Sequence, residues 1–186
     1  MGVLKQGFII FIIFSVLTGI IYPVFITTIV QLVMKDKANG SFIKLNGRII
    51  GSELIGQKFT SSKYFHGRPS AIDYSGNISG ASNLGPTSRK LIELTGSEIN
   101  KVKVRNNLAP DVKIPADLVL SSASGLDPHI SLQSALLQVS RVASERGVAR
   151  EDLVKLVVKN TEKPQLGFLG EERVNVLKLN LELDYR

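Results

Sequence analysis

Cysteine is absent from this chain, and histidine occurs only twice, at His66 and His129. Without cysteine there is no disulfide framework and no CxxC metal or redox site, and the chain suits either side of a membrane. Two histidines 63 residues apart are a thin basis for a metal centre. The sequence has no GxxxxGK[ST] phosphate loop, no GxGxxG after a strand, no HExxH and no Gly-x-Ser-x-Gly elbow. No run of five like charges appears, and no arginine-rich block interleaves with aromatics. That argues against nucleic acid as a partner. Internal repeats and low-complexity linkers are also missing.

The most informative absence is local. From Gln6 to Met34, twenty-nine residues pass without a charged side chain. A bilayer core about 30 Å thick needs about 20 apolar residues in a helix. Residues 6–34 therefore read as a transmembrane helix, longer than the apolar core of a signal peptide, which runs about 7–15 residues. Pro23 lies inside the span. A neighbouring helix or a threonine, with Thr27 near, is expected to satisfy the carbonyl it frees. Ser15, Thr18 and Gly19 are small enough to let another helix approach. Lys5 precedes the span and Lys35 and Lys37 follow it, so the charge count does not favour a cytoplasmic amino terminus.

What remains, residues 36–186, carries 21 Lys and Arg against 16 Asp and Glu. This mild positive balance suits a surface near anionic headgroups. The length suits one hydrophobic core and one domain. Asn46-Gly47 between two apolar-rich runs predicts a β-hairpin. Residues 56–86, rich in Gly, Ser, Asn and Pro, read as one long loop of the kind that is often functional. A helix is expected after Pro86, capped by Thr87 or Ser88. Asp127-Pro128 predicts another, with Asp127 as cap and Leu132, Leu136, Val139 and Ala143 on one stripe, closing at Gly147. A short helix over Glu151–Lys159 follows. Leu177, Leu179, Leu181 and Leu183 alternate with polar residues and predict a final strand that pairs onto the first hairpin. The fold class is α+β: one N-terminal transmembrane helix followed by a single extracytoplasmic α+β domain, the side of the membrane resting on the resemblance below.

Two segments invite a chemical reading. Ser121, Ser122, Ser124, Asp127 and His129 lie within nine residues, so a serine nucleophile with a histidine base can be drawn. Triad members converge from distant parts of a chain, however, and a turn feeding a helix explains the same residues. Tyr64-Phe65-His66-Gly67-Arg68-Pro69 is an aromatic, basic loop. It fits an interaction surface or a loop packed onto the core.

Five segments, taken in order, resemble the KdpC family, the C chain of the potassium-transporting P-type ATPase complex. They are Gly51-Ser52-Glu53-Leu54-Ile55-Gly56-Gln57, Tyr64 to Ala71, Ser82-Asn83-Leu84-Gly85-Pro86-Thr87, Ser124 to Ser131, and Arg173-Val174-Asn175-Val176-Leu177. Glu171-Glu172-Arg173, where the family more often has Gly-Glu-Pro-Arg, and Ser122-Ala123-Ser124, where Ser-Gly-Ser is commoner, are small departures. The resemblance implies a non-catalytic subunit in the cell membrane with its soluble domain on the extracytoplasmic side. Its implied partners are a channel-like potassium-binding subunit and an ATP-hydrolysing subunit. Potassium is transported by the complex. ATP enters only through a proposed ternary complex, in which the family acts as a catalytic chaperone raising the ATP affinity of the hydrolysing subunit. A cap or access filter at the potassium entrance is the competing expectation. The implied partner or nucleotide contacts are Tyr64, His66, Arg68, Asn83, Asp127 and His129 within these segments, and Gln138 as the match to a family glutamine in the helix after Asp127-Pro128-His129; none is expected to be catalytic or to bind metal.

Overall fold

A computed structural model describes residues 2–185; Arg186, the end of the 36–186 stretch, lies outside the described residues. The chain divides into two compact units, residues 1–43 and 44–186.

In the first unit, α1 (Val3–Val16), a π-helical segment (Leu17–Ile21) and α2 (Tyr22–Val33) run on as one helix. These 31 residues are long and apolar enough to cross a membrane, and none is buried within the chain. At about 1.5 Å per residue they extend roughly 46 Å, more than the bilayer core requires. The π-segment has a physical cause in Pro23. In a regular helix the proline ring would crowd a carbonyl one turn back. Here the Tyr22 N–H reaches back to the Leu17 carbonyl, a wider register that loosens the turn before the proline. The threonines that turn their hydroxyls onto the helix backbone are Thr18, to Phe14 O at 2.7 Å, and Thr28, to Val24 O at 2.8 Å. Thr27 is not used this way. The helix breaks at Met34, and a single turn, α3 (Lys35–Ala38), follows.

The hairpin forms as expected. Strands β1 (Phe42–Leu45) and β2 (Arg48–Ser52) pair, and Asn46 and Gly47 both take positive φ, 50° and 77°, as a type I′ turn demands. No regular strand or helix forms again before α4 (Arg89–Arg105), which starts after Ser88 and runs unbroken through Gly96. The Ser88 hydroxyl makes no capping bond. A 3₁₀ turn (Ala116–Leu118) then packs its Leu118 with Val102 of α4 and Val119 in a small apolar cluster.

The rest builds the main core. Strands β3 (His129–Ser131), β4 (Thr161–Glu162) and β5 (Arg173–Asn175) form an antiparallel sheet with β5 central; Val174 faces Ile130 on one side and Thr161 on the other. Helices α5 (Leu132–Arg146), α6 (Arg150–Lys159) and α7 (Val176–Asp184) pack with it. Ala135, Val139, Val142, Leu153, Leu156, Val157, Val174 and Leu179 form the buried centre, with Phe65 from the long loop.

Two expectations are overturned. Asp127-Pro128 does not begin a helix. Asp127 Oδ1 accepts the His129 N–H at 3.0 Å in a tight turn, and the chain continues as β3. The helix begins at Leu132, where Ser131 caps the Ser134 N–H and Asp117 accepts the Ser131 N–H at 2.7 Å. Pairing with β5 claims residues 129–131, so the second of two possible caps wins. The leucine run at 177–183 is a helix, not a strand, and it does not pair with the hairpin. Val176, Leu179, Asn180 and Leu183, at helical spacing, are all buried, and the Asn175 side chain caps the Lys178 N–H. The strand preceding it ends at Asn175.

The two periods make opposite forecasts. Asn180→Leu and Leu179→Ala are expected to destabilise the chain, the latter by about 2–5 kcal/mol, and Leu181→Ala by clearly less. Thermal unfolding followed by circular dichroism checks this. A strand would make Leu181→Ala as costly as Leu179→Ala and Asn180→Leu harmless.

Candidate functional site

The long loop owes its shape to α5 and α7. A segment that carries Phe65 into the core, fully buried, must find partners for its backbone polar groups. Six consecutive carbonyls find them in side chains: Ser61 O from His66 Nε2, Ser62 O and Tyr64 O from Arg141, Lys63 O from Arg146, Phe65 O from Asn180 and His66 O from Gln138. Two amides clamp neighbouring residues. Asn180 on α7 accepts the Phe65 N–H at 2.8 Å and donates to its carbonyl at 2.9 Å. Gln138 on α5 accepts the His66 N–H at 2.8 Å and donates to its carbonyl at 3.0 Å. Each amide does for one residue what a neighbouring strand would do.

The electrostatics of this region are unusual. Arg141 is buried, and its hydrogen bonds all go to neutral oxygens, including Asn106 Oδ1 at 2.9 Å and Gln138 Oε1 at 2.9 Å. Burial, with the charge of Arg105 beside it, pulls its guanidinium down to about 10. His66 is also buried. Its Nε2 meets a carbonyl, which can only accept, and its Nδ1 meets Arg105 at 2.8 Å, which can only donate. The ring is therefore the neutral Nε2–H tautomer. Burial first, then the Arg141 and Arg105 charges, lower its pKa to about 4. Tyr64 lies partly exposed beneath Arg146, 4.9 Å from the ring centroid, and donates to Asp184 at 2.8 Å, a bond that raises its pKa.

A second group lines a cleft of about 510 Å³ between β3, the 3₁₀ turn and residues 171–173. Arg68 pairs with Asp127 at 3.0 Å, while its Nε is buried without a hydrogen-bond partner. His129 sits with one ring nitrogen 3.5 Å from Asp127 and the other 3.9 Å from Glu162. Burial draws the Asp127 pKa up, but hydrogen bonds from His129 and the charge of Arg68 outweigh it, and the carboxyl is held below its ordinary value. The approach of chain to chain is close here. A Cβ on Gly56 would stand 2.7 Å from the Asp127 carbonyl.

The expected site residues thus fall into two groups. Tyr64, His66 and Gln138 come together at the loop, and Arg68, Asp127 and His129 at the cleft. Asn83 is exposed at a positive φ of 53° and bonds to neither. The serine–histidine arrangement does not form: Ser122 and Ser124 accept the Gly125 and Leu126 N–H groups in a turn, and the ring nitrogens of His129 face carboxylates. Sequence reasoning missed Arg141 and Asn180. Arg141 lies one turn beyond Gln138 on α5, and Asn180 shares the helical stripe of Val176 and Leu183. A helical reading of the C-terminal run would have drawn attention to Asn180.

The sequence pattern of KdpC, the K+-transporting ATPase c chain, matches residues 4–185. This chain belongs to the KdpC family. The potassium-transporting ATPase KdpC subunit of Koribacter versatilis is 49% identical over 172 residues, covering 91% of this chain and 88% of the relative. That of Geotalea uraniireducens is 49% identical over 185 residues, covering 97% and 96%. That of Mycobacterium tuberculosis is 45% identical over 174 residues, covering 92% of each. The KdpC match includes the loop, the cleft and the apolar helix alike.

Two outcomes follow for the KdpC fold. Gln138→Ala leaves the His66 main chain and one Arg141 hydrogen bond unpartnered in the interior, and is expected to cost about 2–4 kcal/mol. Tyr64→Phe, at a partly exposed pair, should cost under about 1 kcal/mol, measured by denaturant unfolding. The pH dependence has a definite sign. Between about 4 and 6.5 the unfolded His66 binds a proton that the folded ring refuses. This contribution to stability is therefore complete above about 6.5 and is lost as pH falls toward 4. His66→Gln should flatten the melting temperature across that window.

Proposed function

We propose that this chain is the non-catalytic C subunit of an ATP-driven potassium-uptake complex. A single apolar helix would anchor it in the cell membrane, with residues 36–186 on the extracytoplasmic side. Its partners in this reading are a channel-like potassium-binding subunit and an ATP-hydrolysing subunit. The observation that carries the reading is the family match from residue 4 to residue 185, which takes in the apolar helix and the folded unit together. The accessory role has independent physical support. The side chains that could have carried chemistry are engaged in holding the chain: Gln138 and Arg141 on the loop, His66 between a carbonyl and an arginine, Ser122 and Ser124 in a turn.

Gln138, the residue matched to nucleotide contact, is 2% exposed, and both ends of its amide are hydrogen-bonded. This favours an indirect effect on ATP. In our reading the subunit raises the ATP affinity of the hydrolysing chain by favouring one conformational state of the pump, with Gln138 acting as a positioning residue for the loop. Any partner that binds one state better shifts the apparent affinity of every ligand linked to that state.

Potassium-stimulated ATP hydrolysis by the assembly with and without this chain tests the proposal. Removal is expected to abolish the stimulation or raise the KM for ATP by about 5–150-fold, the usual range of such coupling. Unchanged turnover sinks it. Because the chain has no cysteine, Ala123→Cys at an exposed position gives a single label site. It should react with a membrane-impermeant maleimide in intact cells; reaction only after permeabilisation overturns the extracytoplasmic placement.

A further inference from the structure

Consecutive residues take positive φ at several places in the chain. At Asn46-Gly47 they are the residues that a type I′ turn favours. At Leu166-Gly167 they are not. Both residues have positive φ, 54° and 84°, and the turn is closed by paired main-chain bonds between Gln165 and Leu169, each 2.9 Å. A leucine held in the left-handed region costs on the order of 1–2 kcal/mol, because its Cβ crowds the following carbonyl. Burial commonly offsets such strain. Here it does not: Leu166 is 83% exposed, Phe168 73% and Leu169 50%. Folding gains almost nothing from these side chains, yet the turn presents them in an ordered, outward-facing arrangement. Residues 164–170 carry no charge; Lys163 precedes them, and Glu171 and Glu172 follow at once.

We propose that the Leu166–Leu169 turn is a docking element that inserts into an apolar pocket on another protein subunit, and that this pocket is bordered by Lys or Arg. The charge beside the turn selects the partner. Glu171 and Glu172 form no ion pair among the described residues and line the cleft that also holds Asp117, Asp127, Arg68 and Arg173. Four carboxylates against two guanidinium groups leave that cleft net negative. The excess of carboxylates in the cleft disfavours an anionic lipid surface at this face, although the unit as a whole is mildly positive, whereas a basic side chain at the rim of the pocket could enter the cleft as the turn enters its pocket. A second copy of this chain would bring the same acidic rim and is disfavoured on the same ground.

The proposal rests on the reading that the chain is a subunit of the potassium-transporting ATPase, and the test separates the two. Full-length chain is co-expressed with the larger subunits of that ATPase, and retention is measured after detergent extraction. Leu166→Asn, Phe168→Ser and Glu171→Lys/Glu172→Lys are compared with the unaltered chain, each with its own melting temperature. A photo-crosslinking residue at position 168 reports the contact. Leu166→Asn is expected to melt at the same or a higher temperature, since it relieves the turn. It should still lower retention at least tenfold, and the double lysine variant should do likewise. The crosslink should map to an apolar segment of a larger subunit beside Lys or Arg. Retention equal to the unaltered chain overturns the docking element while leaving the subunit reading intact. So does a crosslink only to lipid or to a second copy, or a Leu166→Asn chain that melts lower. If the unaltered chain itself is not retained, the subunit reading fails, and the docking proposal with it.

Discussion

Backbone carbonyls in the interior must be hydrogen-bonded, and a chain segment without strand or helix has to find its partners elsewhere. That constraint organises the folded unit. From Ser61 to His66 every carbonyl is met by a side chain, four of them from Gln138, Arg141 and Asn180. Because these bonds are made, Phe65 can enter the core, and the loop can join α5 to α7 as a third layer. The arrangement is costly to disturb. A buried guanidinium with only neutral acceptors and a neutral histidine between a carbonyl and an arginine are tolerated because each donor and acceptor has its match.

The same economy shapes the cleft. Asp127 turns the chain into β3 through the His129 N–H and holds Arg68 from the loop. Glu162 on β4 bonds Arg173 on β5 at 3.0 Å, and Lys178 at the start of α7 bonds Glu53 at 2.8 Å near the end of β2. These pairs tie β4 to β5, and the start of α7 to the segment after β2. Exposed pairs of this kind add little stability singly, and their use lies in register and placement. The groups that resemble chemistry hold the fold, while the Leu166–Leu169 turn keeps apolar side chains outward.

Some of this was legible in the residues. The uncharged run 6–34, the Asn46-Gly47 turn, the absence of regular elements over 56–86, the stripe Val139–Ala143 and the short helix burying Leu153, Leu156 and Val157 all appear where local pattern placed them. Two failures share a cause. Asp127-Pro128 and Ser131 both qualify as helix starts, and only pairing of β3 with Val174 and its neighbours, far along the chain, chooses between them. Alternating leucines at 177–183 satisfy a strand face, and the buried set Val176, Leu179, Asn180 and Leu183 satisfies a helix equally well. Asn180 breaks the tie only once its amide is seen on Phe65.

The sequence by itself determined that one long apolar helix precedes a mixed α and β unit, that no phosphate loop or thiol chemistry is present, and which family the chain joins. Those properties depend on composition, local periodicity and ordered short motifs, all readable within a few neighbouring residues. Tertiary structure alone decided which polar side chains serve the fold and which surfaces stay unclaimed. Gln138, Arg141 and Asn180 acquire meaning from carbonyls 72 to 115 residues distant. The exposure of Leu166 and Phe168 is likewise invisible until the rest of the chain has packed without them.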